Sequence, residues 1–146
     1  MTGLTKKGII ALTVSFLAVS AAAQQPVSAD RFADAVNHWN KEHGAQTYER
    51  YKPDRFREIA DNIVAYQNAD GGWPKNLDML ARLDPDSVKA ALKPRHRLST
   101  LDNANVYTQV EYLSNVYLLT GDTLYRNSAR RGMEYMPVSY THLTLP

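Results

Sequence analysis

The sequence predicts an all-α chain built of antiparallel helix pairs. Apolar residues recur at helical spacing in four separate segments. Turn residues fall at the ends of these segments, Gly44, Gly71 and Gly121 among them. No stretch shows the sustained alternation of a half-buried strand.

The first segment spans about Ala29 to His43. Ser28 is a good N-cap, Phe32, Ala35, Val36 and Trp39 fall on one face, and Gly44 can end it. The second runs from Pro53 to Asn68, with proline in its first turn and Phe56, Ile59, Ala60, Ile63, Val64 and Gln67 in phase. A short helix fits Pro85 to Leu92, and "KPRHRLS" reads as an exposed basic loop. The third long segment reaches from Asp102 to Leu119, with Val106, Val110, Leu113 and Tyr117 inward, and Gly121 ends it. The fourth covers Asp122 to Met136, with Leu124, Ala129, Gly132, Met133 and Met136 as apolar positions. Arg57, Ala60 and Tyr66 align with Arg126, Ala129 and Tyr135, a faint repeat of the kind a helical toroid shows. It implies a second Gly-Gly-Trp-Pro type of turn after Tyr135.

Both ends differ from this middle. Lys6 and Lys7, an apolar run from Gly8 to Val19 and then "SAAAQ" read as a secretory signal peptide over residues 1–23. The expected mature chain starts at Gln24 and is secreted or periplasmic. The run is too short to span a membrane comfortably. "PVSYTHLTLP", residues 137–146, has no charge and no periodicity, and reads as a non-native tail.

Composition narrows the function. Apolar residues make up 44% and charged residues 22%, and the net charge is +2, which gives no general case for nucleic-acid binding. Cysteine is absent, so disulfides and thiolate metal sites are excluded. Nine tyrosines and two tryptophans suit both cores and sugar-stacking surfaces. No nucleophile elbow, phosphate loop or zinc-helix motif is present. His38 and His43 are five apart and do not share a helix face, and His96 belongs to the basic loop.

Two stretches carry candidate chemistry. In "YQNADGGWPKNLDM", Gly71 and Gly72 permit a sharp turn and Pro74 fixes its exit. Trp73 either plugs the end of a helix pair, with Lys75 merely solvated, or stacks on a sugar while Lys75 meets a carboxylate. In "STLDNANVYTQVEYL", Asp102 and Asn103 offer hard oxygens suited to calcium, with Asn105 nearby. Asp102 alone would equally serve as a helix cap.

Taken together, "IADNIVAYQNADGGWPKNLDM" followed by "STLDNANVYTQVEYLSNVY" resembles the pectate lyases of polysaccharide lyase family 10, over about Phe56 to Met136. Asn105 and Val106 depart from the threonines usual there. The resemblance implies a partial (α/α)3 toroid, incomplete at its C-terminus, and calcium-assisted β-elimination of polygalacturonate. It assigns Asp102 and Asn103 to calcium, and Trp73, Lys75 and Asn76 to the acidic polymer. The catalytic base it implies is an arginine downstream of the chain end; Arg95, Arg97, Arg126, Arg130 and Arg131 do not match it. The expected product is therefore an N-terminal fragment, inactive alone, monomeric, and with an apolar helix face left open. Two rival readings are a two-carboxylate glycoside hydrolase and a non-catalytic protein binding acidic polysaccharide.

Overall fold

The computed structural model describes residues 27–44 and 48–143, with side chains through Met136. The signal-peptide reading of residues 1–23 lies outside them. Five α-helices follow in order: α1 (Ala33–His43), α2 (Phe56–Tyr66), α3 (Pro85–Ala91), α4 (Tyr107–Thr120) and α5 (Thr123–Leu143). Among the described residues there is no strand, only isolated bridges at Arg50–Ala81 and Pro74–Ser99. No helix there is long and apolar enough to cross a membrane.

Helix α4 ends on Gly121 in the left-handed conformation, φ 70°. That turn sends the chain back at once, so α4 and α5 form a hairpin. Helix α2 packs against α4, α3 and α5. The core gathers Ile59, Ala60, Ile63 and Tyr66 of α2, Leu113 and Val116 of α4, and Tyr125 and Ala129 of α5. Phe32, just before α1, joins it through an edge-on contact with Tyr112 at 5.5 Å between ring centres. The all-α class and the helix pairing are as expected; the described residues form no closed toroid.

Several boundaries move for physical reasons. Pro53 lies in a turn closed by Arg55 N–H on Lys52 O, 2.9 Å, so α2 begins at Phe56. Gln67 leaves the helix with extended backbone, φ −63° and ψ 131°. Its amide then joins two elements, donating to Gly71 O at 2.8 Å and Ser128 O at 2.9 Å. Ser28 is not the expected N-cap: a 3-10 turn over Asp30–Phe32 precedes α1, the caps are Ala29 and Phe32, and the Ser28 hydroxyl accepts only the Asp30 N–H, at 3.3 Å. The basic loop is a 3-10 turn over Pro94–Arg97.

Helix α5 departs most. It continues through Pro137 to Leu143, where the sequence suggests an end at Met136 and then a second turn. A proline removes one backbone hydrogen bond but leaves the following residues free to stay helical. The buried stripe of α5 is Tyr125, Ser128, Ala129 and Gly132, not Leu124 and Met133, which are both 48% exposed. Ser128 earns its burial by pairing with Gln67, hydroxyl to amide oxygen, 2.8 Å.

Candidate functional site

The Gly-Gly-Trp-Pro turn is a structural joint. Gly71 has φ 92°, and a Cβ there would stand 2.4 Å from Arg131 O on α5. Gly72 serves closeness instead, since its Cβ would stand 2.6 Å from Ser99 Cβ. Asp70 braces the turn by accepting Gly72 N–H at 3.0 Å and the Ser99 hydroxyl at 2.7 Å. Trp73 is fully buried, donates its indole N–H to Ile63 O at 2.7 Å, and lies against Gly132. This corrects the expected sugar platform: the indole has no free face for a ring to cover, and it plugs the helix pair.

Past Pro74 the same chain comes to the surface. Asn76 adopts φ 62°, one of the few non-glycine residues in the left-handed region. Lys75 Nζ reaches Asp102 Oδ2 at 2.5 Å. Asp78 turns inward, its side chain fully buried, to accept Arg50 Nε–H at 2.6 Å and Leu80 N–H at 3.0 Å. The buried acid is thus both paired and hydrogen-bonded, as burial of a charge requires.

The second stretch is strained. Asn103, Ala104 and Val106 all have positive φ, at 55°, 56° and 70°. For a β-branched residue this is a true outlier. Helix α4 starts only at Tyr107, too far on for Asp102 to cap it, and Asp102 bonds Lys75 instead. Asn105 is buried, and both ends of its amide are hydrogen-bonded. Its amide donates to Trp73 O at 2.6 Å and Thr100 O at 2.9 Å, and its oxygen accepts from Gln109 at 2.7 Å. The Asn105 oxygen already accepts one hydrogen bond, and Asn105 lines the same depression as Asp102 and Asn103.

Lys75, Asn76, Asp102 and Asn103 all line one small depression, with Arg31 and Gln109 beside them. Four of the five expected residues therefore meet, and Trp73 lies beneath them. The lysine hydrogen bond and its charge hold the Asp102 carboxyl below its ordinary 3.8. Arg31, paired with Glu111 at 3.1 Å, and Gln109 carry no signal in the sequence. Neither sits in a motif, so only the fold brings them here.

The hydrogen bonds of Asn105 also fix the orientation of Gln109. Two carbonyls claim the Asn105 amide nitrogen, so its oxygen faces Gln109, whose Nε2 must donate. Gln109 Oε1 is then left buried without a donor. Gln109 lines the same depression as Asp102 and Asn103, and all three side chains carry oxygens of the type a hard cation takes. The set is small: calcium takes six to eight oxygens, and no group of three or more His, Cys, Asp or Glu side chains clusters among the described residues. The chain's own oxygens here are of the type calcium takes but too few to hold it unaided.

A family model described as pectic acid lyase matches residues 67–142, just over half of the chain. The match holds the turn, the strained loop, α4 and nearly all of α5. No curated protein and no solved structure matches the chain significantly. With both motifs inside the matched stretch and four of their polar residues converging on one depression, the chain belongs to the pectic acid lyase family.

Proposed function

We infer that the depression formed by Lys75, Asn76, Asp102 and Asn103 is the substrate-facing part of a pectate lyase site. It takes acidic pectic polymer such as polygalacturonate, cleaved by β-elimination. The observation that carries this is the Lys75–Asp102 pair, which joins the two motifs at 2.5 Å within the stretch matched to the family.

β-Elimination removes the C5 proton of a uronate and expels the C4 glycosidic oxygen. The C5 proton is a poor acid until charge on the neighbouring carboxylate is neutralised. Lys75 supplies a cation that can pass from Asp102 to a substrate carboxylate. Asp102 and Asn103, with Gln109 Oε1, would help hold calcium, which when bound adds Lewis-acid stabilisation of the developing enolate-like charge. Asn76 is held by its backbone where its amide can meet sugar hydroxyls. The expected arginine base is assigned to none of these residues.

Retention of the chain on polygalacturonate should rise with calcium and fall with chelator. Asp102→Ala should weaken calcium-dependent retention about tenfold, the effect of losing a charged ligand. Retention of that variant at wild-type strength in low calcium would overturn the calcium assignment. Turnover, where measured, should give unsaturated uronide; saturated products insensitive to chelator would mark a hydrolase instead.

A further inference from the structure

A larger cleft, of about 310 Å³, adjoins the depression and shares Lys75 and Asn76 with it. Its other walls are the end of α1, with Trp39 and His43, and the basic turn with Arg95 and His96. The α1 wall lies outside residues 67–142, so family membership assigns it nothing.

The chemistry of this cleft is specific. His43 stacks on Trp39 with ring centres 3.9 Å apart and planes 16° apart. Its Nδ1 hydrogen-bonds Trp39 O at 3.2 Å, which fixes the ring. One face of the imidazole is covered by the buried indole, while the residue as a whole is exposed. That is a flat, oriented aromatic surface of the kind sought at Trp73. Arg95 has no carboxylate partner among the described residues; its Nε–H donates to His96 Nε2 at 3.0 Å. Lys75 and Arg95 face a lining whose single acid is Glu42. The volume is at the small end for ligand pockets, roughly 300–1,000 Å³, and suits a sugar unit of a polymer.

Resting on the lyase reading above, we propose that this cleft is a second uronate subsite. His43 stacks on the sugar ring, and Arg95 takes its carboxylate through a charged, fork-shaped pair. A polymer crossing Asn76 would place one carboxylate here and another at the Lys75–Asp102 depression.

The test is calorimetric titration of the full chain with trigalacturonate and with its methyl ester. Arg95→Ala should weaken trigalacturonate binding about tenfold, and His43→Ala about three- to tenfold. Arg130→Ala, which removes the same charge from α5, should change nothing. The methyl ester should bind wild type and Arg95→Ala alike. If Arg95→Ala and His43→Ala bind like wild type while Lys75→Ala weakens, the subsite is wrong and the lyase reading stands. If Arg95→Ala and Arg130→Ala weaken binding equally, charge steering explains the effect and the subsite also falls. If wild type binds no trigalacturonate, both readings fall.

Discussion

The turn at Gly71–Pro74 and the loop at Asp102–Val106 are bound to each other, yet they solve opposite problems. The turn needs a left-handed backbone at Gly71 and uses glycine for it. The loop needs the same at Asn103, Ala104 and Val106, and only the asparagine is suited to it. The turn is buried and closes the core with Trp73, while Asp102, Asn103 and Ala104 are exposed. Strain at Asn103 and Ala104 thus sits where a ligand can reach, while Val106 carries its positive φ fully buried in the core. Strain of about 1–3 kcal/mol per residue persists only where the surroundings over-determine it. Here Asn105 does so, with both ends of its amide engaged.

The sharpest way to break this contrast is Trp73→Ala. Removing a buried aromatic side chain should cost about 3–5 kcal/mol in chemical denaturation. Polysaccharide binding should fall only as far as the folded fraction falls. A variant that stays stable but loses binding would return Trp73 to the ligand and end the distinction.

Next in size is Ala104→Gly. Glycine at φ 56° relieves the left-handed penalty at some cost in unfolded-chain entropy. A net gain of about 0.5–1 kcal/mol is expected, read as a higher denaturation midpoint. A loss in stability would mean that the loop is not strained.

The smallest effect is at Asp102. Lys75 holds its carboxyl below 3.8, so the pair contributes above that pH and is lost as pH falls through the lower folded value. The group is exposed, so its effect on stability is slight. An NMR titration should place the Asp102 midpoint below 3.8, and Lys75→Met should move it back up. An unchanged midpoint in Lys75→Met would dissolve the link between the two stretches.

Much of this architecture is legible in the sequence. Helical spacing locates the helices because burial of one face enforces it, as at Ile59 and Ile63. Motif residues locate Lys75, Asn76, Asp102 and Asn103. Spacing does not say whether Trp73 faces in or out, because an indole suits both a core and a sugar. That depends on the empty place at Gly132, far along the chain, and on Ile63 O. Leu124 and Met133 mislead for a related reason: the buried stripe of α5 is set by its contacts with Gln67 and Trp73, not by hydrophobicity alone. His43 and Arg95 look like ordinary solvated residues, since nothing in their neighbours along the chain brings them together.

The empty place at Gly132 also has a consequence for how the helices find one another. A Cβ there would lie 2.7 Å from Trp73 Cζ3 and 2.6 Å from Val110 Cγ2. Its neighbours in the chain, Arg131 and Met133, both carry long side chains. Sliding α5 by one residue would drive one of them into the indole. The glycine thus works as an index mark, turning a smooth helix contact that could settle in several alignments into one that locks in a single register.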